Sequence, residues 1–210
     1  MKKILIVDDH EVVRAGVMRI IESSRPDIVF GQASDADQAL KLVRDEDWDL
    51  AVLDIALGDR SGLELVKELK QIRSTLPMLI LSMHSEEQYA RRAFQAGAAG
   101  YITKDSPGEE LVKAVYKVME GGRYVNSATA ERLAQDLERG IDRPRHYSLS
   151  DREFEVLRLI ASGKTVGEIA SLLELSDKTV STYRARILEK MGMKTNAEII
   201  HYAIRNNLAN

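Results

Sequence analysis

Several apolar runs in this chain end on residues whose side chains suit phosphoryl chemistry. Lys3-Ile4-Leu5-Ile6-Val7 stops at Asp8-Asp9, and Asp49-Leu50-Ala51-Val52-Leu53 stops at Asp54. Met78-Leu79-Ile80-Leu81 stops at Ser82, and Ala99-Gly100-Tyr101-Ile102 runs into Thr103-Lys104. If these runs are neighbouring parallel strands, three acids, a hydroxyl and an amine converge on one edge of a sheet. Clustered carboxylates raise each other's pKa unless a cation joins them. Mg2+ takes one or two carboxylates plus waters and phosphate oxygens, which suits Asp9 and Asp54. A carboxylate can attack a phosphoryl centre and hold it as an acyl phosphate, and Asp54 is the candidate nucleophile. Lys104 and the metal would neutralise the equatorial oxygens, with Ser82 hydrogen-bonded to one of them.

The elements that must bring these residues together are legible as patterns. Strand-like runs near 3–7, 28–33, 50–53, 78–82 and 99–102 alternate with amphipathic stretches. The helical faces read as Val13, Gly16, Val17 and Ile20, then Leu65, Val66, Leu69 and Ile72, then Leu111, Val115 and Val118. This alternation predicts an α/β doubly wound parallel five-stranded sheet, with near-continuous apolar strands buried on both faces. Such sheets bind ligands beyond the carboxyl ends of their strands, where Asp8, Asp9, Asp54, Ser82 and Lys104 all fall. One Asp at a strand end is commonly a turn or cap residue. Acids after strands one and three, a hydroxyl after four and a lysine after five form a more specific pattern.

Helix starts carry capping-box spacing at Ser61/Glu64, Ser85/Gln88, Ser106/Glu109, Ser150/Glu153, Thr165/Glu168 and Thr195/Glu198, with Pro107 expected at a first helical position. Residues 127–139 read as a helix with Ala130, Leu133 and Leu137 on one face, and residues 140–145 as a polar linker broken by Gly and Pro. Only helical patterns follow, at 151–162, 166–173, 177–191 and 196–206, predicting a second, all-α domain.

Composition narrows the function. The 210 residues are 44% hydrophobic and 30% charged, ordinary for a soluble globular chain with room for two domains. No apolar stretch approaches the roughly 20 residues that span a bilayer. The run behind Met1-Lys2-Lys3 is too short for a signal-peptide core, so the expected location is the cytoplasm, with no membrane partner. The absence of cysteine excludes disulfides, zinc fingers and thiol catalysis. His10, His84, His146 and His201 are scattered without metal-ligand spacing. The net charge of −3 conceals a local basic stripe: residues 178–194 hold five basic residues and one acid.

That stripe lies in the second half of a helix-break-helix pattern, with the break at Glu174-Leu175-Ser176. Val180, Tyr183, Ile187 and Met191 recur at three- and four-residue steps and mark the core face. Lys178, Ser181, Thr182 and Ala185 share the opposite face near the helix N-terminus, where a recognition helix meets base edges; Thr179 joins this candidate set. Arg184, Arg186 and Lys190 flank it as candidate phosphate contacts. A basic amphipathic helix is often only a solvated face, so double-stranded DNA is here an expectation from position as well as charge.

Residues 1–120 resemble a response-regulator receiver domain through Ile-Leu-Ile-Val-Asp8-Asp9-His10, Ala-Val-Leu-Asp54, Leu-Ser82 and Ala96-Gly97-Ala98-Ala99-Gly100-Tyr101-Ile102-Thr103-Lys104-Asp105. Residues 148–210 resemble a LuxR-type DNA-binding domain of the NarL/FixJ family through Leu149-Ser150-Asp151-Arg152-Glu153-Phe154-Glu155-Val156-Leu157, Leu175-Ser176-Asp177-Lys178-Thr179-Val180 and Lys190-Met191-Gly192. Tyr183 stands where many members have His, and Val180-Ser181-Thr182-Tyr183-Arg184 is closer to the GacA/UvrY branch. Residues 121–147 are then a linker with a helix. The resemblance implies a two-component response regulator rather than an enzyme, beyond taking phosphate from small donors and releasing it. It implies phosphorylation of Asp54 by a histidine kinase and Mg2+ on Asp8, Asp9, Asp54 and the backbone carbonyl of Ala56. It also implies a switch made by Ser82, Tyr101 and Lys104, with Tyr101 moving inward, a homodimer when phosphorylated, and RNA polymerase as a further candidate partner.

The residues alone leave three rivals. An aspartyl phosphohydrolase would use the same acids, although Ala56 stands where such enzymes usually carry a second Asp. A constitutive DNA binder would use the first domain only to dimerise. A third kind of regulator would act through protein contacts alone.

Overall fold

The computed structural model describes residues 1–57, 60–84, 86–138, 144–206 and 208, with the side chains of all but 86–88, 132 and 135–138. The chain divides into two compact units, Met1–Arg139 and Gly140–Asn210.

In the first unit the elements run β1 (Lys2–Val7), α1 (Glu11–Ser24), β2 (Ile28–Ala33), α2 (Ala36–Asp45), β3 (Leu50–Leu53), β4 (Ala56–Leu57), β5 (Arg60–Ser61), α3 (Gly62–Ile72), β6 (Met78–Ser82), α4 (Glu86–Ala96), β7 (Gly100–Thr103), α5 (Gly108–Met119) and α6 (Ser127–Glu138). The order β2-β1-β3-β6-β7 makes a parallel five-stranded sheet, as the alternating pattern predicts. Among the described residues, only β4 and β5 pair antiparallel, just beyond Asp54. Those two-residue strands are too short to show period-two alternation and fall outside the strand-like runs expected from the sequence.

Helices cover both faces of the sheet. Ile4, Ile6, Val52, Leu79, Leu81 and Ile102 meet Val17 and Ile21 of α1 and Leu111, Val115 and Val118 of α5 in one buried cluster. Helices α2, α3 and α4 pack in sequence with one another, and Leu63, Leu65, Val66 and Leu69 of α3 are buried. Each fully buried aliphatic side chain of this kind contributes roughly 1.5–3 kcal/mol.

The reading of α1 needs correction. Its buried residues are Val17 and Ile21, while Gly16 is exposed and Ile20 is 37% exposed. The stripe runs Val13, Val17, Ile21, one position round from the expected face, because Ile21 rather than Ile20 stands four residues beyond Val17.

Caps follow local chemistry. Full capping boxes form at Ser150/Glu153 and Thr165/Glu168. Ser61 caps through Leu63 N–H. Thr195 caps through Glu198 N–H, while Glu198 turns to accept from Lys194 N–H. Ser106 does not cap: its hydroxyl pairs with Thr103 at 2.8 Å, and Pro107 takes the N-cap position rather than the first helical one. The box expected at Ser85, the polar stretch at 140–143 and the side chain of Leu137 lie outside the described residues.

The second unit holds a short 3-10 turn at Arg145–Ser148 and α7 (Asp151–Ala161), α8 (Val166–Leu172), α9 (Asp177–Met191) and α10 (Asn196–Arg205). Helix α7 packs on α8, α9 and α10. Leu157, Ile160, Ile169, Val180, Ile187, Met191, Ile199 and Ala203 are all buried within it. The turn from α8 to α9 passes through Glu174, at φ 54, and closes with Leu175 N–H donating to Ala170 O at 2.8 Å. Ser176 then caps α9 through Thr179 N–H.

Candidate acidic site and candidate nucleic-acid interface

Strand register builds the acidic site. Val7 lies opposite Leu53, so Asp8 and Asp54 leave adjacent strands side by side. Ser82 lies opposite Thr103, so Lys104 follows directly beyond Ser82. Backbone bonds carry the order past the strand ends: Asp8 N–H donates to Ala33 O, Asp54 N–H to Val7 O and Lys104 N–H to Ser82 O.

The side chains meet in that cleft. Lys104 Nζ lies 2.6 Å from Asp8 Oδ2 and 2.6 Å from Asp54 Oδ2. Asp8 and Asp54 are both buried. Asp54 Oδ1 accepts from Ile55 N–H at 2.7 Å. Burial pushes the Asp54 carboxyl above its ordinary range and Asp8 adds to the effect, while Lys104 opposes both. Burial works to lower the Lys104 ammonium, but the pull of Asp54 and Asp8 prevails and holds it above its ordinary value.

Asp9 stands at the rim, with its side chain 39% exposed. His10 Nδ1 lies 2.6 Å from Asp9 Oδ1 and 3.3 Å from Asp8 Oδ1, and His10 N–H donates to Asp8 Oδ1 at 2.8 Å. The ligand-type atoms of Asp8, Asp9 and His10 fall within 4.8 Å of one another. The sequence reading left His10 among the scattered histidines, because spacing rules look for separated ligands and here the acids are immediate neighbours. Arg14 was missed too. Its guanidinium donates to Asp8 O at 2.7 Å and to Gln32 at 3.1 Å, bracing β1 against β2. The available signal was its place one helical turn after His10, since side chains on a helix lean toward its N-terminus.

Ser82 and Tyr101 are buried along the same strand ends. Ser82 Oγ accepts from His84 N–H at 3.2 Å. Tyr101 is fully buried, with its hydroxyl donating to His84 O at 2.9 Å. The inward movement expected of Tyr101 is therefore not available from this state, because the ring is already inside with its polar tip bonded, as a buried tyrosine requires.

The described cleft fits a divalent ion. Asp8 and Asp54 share one ammonium while Asp9 stands at the rim beside Asp8, and these carboxylate oxygens are donors of the hard type that Mg2+ selects.

In the second unit, α9 separates into the expected faces. Val180, Ile187 and Met191 are buried and Tyr183 half-buried, whereas Lys178, Ser181, Thr182, Ala185 and Arg186 are exposed. Thr179 is half-buried against the Ser176 cap. Thr182 Oγ1 donates to Lys178 O at 2.9 Å, which leaves its oxygen free to accept. The flanking cations divide. Arg186 points outward, but Arg184 Nε donates to Asn196 Oδ1 at 2.6 Å. Lys190 Nζ lies 2.6 Å from Glu153 Oε2, tying the last turn of α9 to the cap of α7. Burial would raise the Glu153 carboxyl, yet its bonds from Lys190 and Ser150 prevail and hold it below its ordinary range.

Residues 4–116 match the response regulator receiver domain family, and residues 147–203 match the luxR family of bacterial regulatory proteins. The chain belongs to the LuxR-type response regulators. It is a two-component response regulator that joins a receiver to a DNA-binding domain of the transcription regulators. The regulator is 36% identical over 211 residues to Response regulator UvrY of Escherichia coli (strain K12), covering 100% of this chain and 97% of that one. It is 34% identical to Response regulator GacA of Pseudomonas aeruginosa, covering 99% and 98%. Its fold is similar to the crystal structure of a LuxR-family two-component response regulator from Aurantimonas sp. SI85-9A1, with TM-score 0.59, 36% identity, and coverage of 64% of this chain and 96% of that one. These relatives agree with the GacA/UvrY likeness of its α9 sequence. Among the described residues, no helix is long and apolar enough to cross a membrane.

Proposed function

We propose that the regulator carries a phosphoryl group on Asp54, received from the phosphohistidine of a histidine kinase, and that this charge controls its binding to double-stranded DNA. The observation that carries the reading is the buried Asp54 carboxylate held beside Asp8 by one shared ammonium, Lys104.

In the transfer, an Asp54 oxygen forms a bond to phosphorus. The bond from phosphorus to the donor imidazole nitrogen breaks, and that nitrogen keeps the electron pair. Asp8 and Asp9, with Asp54 and the Ala56 carbonyl, would hold Mg2+, which supplies charge neutralisation for the phosphoryl oxygens. Lys104 needs little movement to follow an Asp54 oxygen onto the phosphate, and Ser82 stands at the next strand end to bond another oxygen. The acyl phosphate adds about −1.5 to −2 charges to a buried site, enough to draw Lys104 and the loop around His84 toward it. Tyr101, bonded to that loop, is placed to register the change.

On the output side, Lys178, Thr179, Ser181, Thr182 and Ala185 would face base edges, with Arg186 on phosphate. Arg184 and Lys190 would contribute mainly by fixing α9. Two copies, paired when phosphorylated, would read paired half-sites, and RNA polymerase is the partner through which bound regulator would act. Kinase and DNA partners place this work in the cytoplasm. The chemistry described is self-modification rather than turnover of a small substrate.

The test compares DNA affinity with and without acetyl phosphate and Mg2+, in wild type and Asp54→Asn. The reading predicts tighter binding by the treated wild type and no response from Asp54→Asn. An equal response from both would overturn it.

A further inference from the structure

The segment after α5 does more than lead away from the receiver. Gly122 N–H donates to Lys117 O at 2.8 Å, turning the chain back along the sheet. Tyr124 then pairs with the outer edge of β7: its N–H donates to Ala99 O at 3.0 Å, and its carbonyl accepts from Tyr101 N–H at 2.9 Å. The bridge between Gly100 and Tyr124 is parallel, so Tyr124 extends the sheet by one residue beyond its last strand. The residue whose amide it holds is Tyr101, whose hydroxyl reaches the loop above the acidic site.

Side chains fasten this residue and its neighbour to the helices on either side. The Tyr124 hydroxyl donates to Glu110 Oε2 of α5, and Lys117 of α5 lies over its ring at 6.0 Å. Lys113 and then Tyr124 hold the Glu110 carboxyl below its ordinary range, so it is charged when it accepts. Arg123 lies over the Phe94 ring of α4 at 5.7 Å. Two residues later the chain enters α6, where Asn126 Oδ1 accepts from Thr129 N–H at 2.8 Å. Arg123, Val125 and Leu133 line a groove of about 530 Å³ together with Phe94 of α4.

We propose that Arg123–Tyr124 is a strap tying α4, β7 and α5 together, and that it carries the state of Tyr101 to α6 through the shared backbone hydrogen bond. An edge strand needs some cover to avoid pairing with other chains, and a strap serving only that purpose would leave α6 indifferent to the acidic site. The chemistry points further. The strap bonds to the switch tyrosine through the backbone, and any shift of β7 at residue 101 must either move Tyr124 or break that bond. The Tyr124–Glu110 bond is then the fulcrum that converts the shift into movement of the following helix, with Tyr124 a positioning residue.

The strap rests on the Asp54 reading, and its test separates the two. Full-length wild type, Tyr124→Phe and Glu110→Gln are treated with acetyl phosphate and Mg2+, the extent of labelling is measured, and amide hydrogen exchange is followed by mass spectrometry. Failure of wild type to label would count against Asp54, not the strap. In labelled wild type, exchange should change at least tenfold together at residues 101, 124 and 127–138. In both variants labelling and the change at residue 101 should persist, while the change over 127–138 falls at least threefold. An α6 response as large in both variants as in wild type, or none in labelled wild type, would overturn the proposal. Both substitutions are mild, because one keeps the ring and the other keeps the shape of a half-buried side chain.

Discussion

Gly62→Ala offers a sharp probe of the acidic site from beneath. Gly62 opens α3, and its N–H donates to Ile55 O at 2.7 Å. A Cβ on residue 62 would stand 2.9 Å from the Asp54 carbonyl carbon and 2.9 Å from Ile55 Cα, and closer still to the Asp54 carbonyl oxygen. Ordinary Cβ contacts lie at 3.4–4 Å, and every atom met here is backbone, so no side chain can swing aside. To clear the Asp54 carbonyl oxygen, the Asp54 peptide or the start of α3 must move by about 1 Å or more. Overpacking of this kind costs roughly 1–3 kcal/mol, and a weakened Gly62–Ile55 bond costs about 1 kcal/mol more. At roughly 3 °C per kcal/mol for a unit of this size, the receiver should lose about 6–12 °C in Tm. Misplacement by about 1 Å can cost roughly 100-fold in a positioned reaction, so labelling of Asp54 should slow about tenfold or more. Thermal unfolding and the rate of phosphate incorporation from acetyl phosphate measure the two effects. Wild-type Tm together with a wild-type labelling rate would refute the steric reasoning and the placement of Asp54 above Gly62.

Further predictions concern the DNA-binding unit. Because the Glu153 carboxyl is held below its ordinary value of 4.5, its pairing with Lys190 stabilises fully above that value and fades as pH falls through the lowered one. Lys190→Met should therefore cost about 2 kcal/mol at pH 7, with the difference from wild type shrinking below about pH 4.5, as thermal unfolding across pH would report. Arg186→Ala should weaken DNA binding about equally across sequences and lower the slope of log affinity against log salt by about 1, whereas Lys178→Ala should weaken binding by about 1–3 kcal/mol and relax base preference; an unchanged slope for the first or an unchanged preference for the second would remove that residue from its assigned contact. Gly192 ends α9 at φ 64 and donates to Leu188 O and Glu189 O, so Gly192→Ala should cost about 1 kcal/mol in stability, read by chemical denaturation.

Much of the receiver could be read from the sequence because its strands are buried on both faces. The runs at 50–53 and 78–82 coincide with β3 and β6, and the residues expected at their ends meet through Lys104. Chain topology supplied what spacing could not: Asp8 and Asp54 are neighbours only because β1 pairs with β3. What escaped the reading is mostly short-range or borrowed from distant partners. Lys190 looked like a phosphate contact because its acid, Glu153, is far away in sequence and near only after α7 and α9 pack. Tyr124 gave no signal, since a one-residue bridge has no periodicity. Tyr101 stood out only through the family resemblance, and whether its ring lies inside or outside depends on a loop carbonyl that no pattern of residue types encodes.

The central claim is that Asp54 reversibly carries phosphate. Wild-type protein treated with acetyl phosphate and Mg2+, then reduced with borohydride, can be mapped by peptide mass spectrometry, because an aspartyl phosphate is converted to homoserine and an ordinary aspartate is not. Conversion at position 54 and at no other aspartate is the expected result. Conversion at Asp8 or Asp9, or none at position 54 in protein that has taken up phosphate, would contradict it.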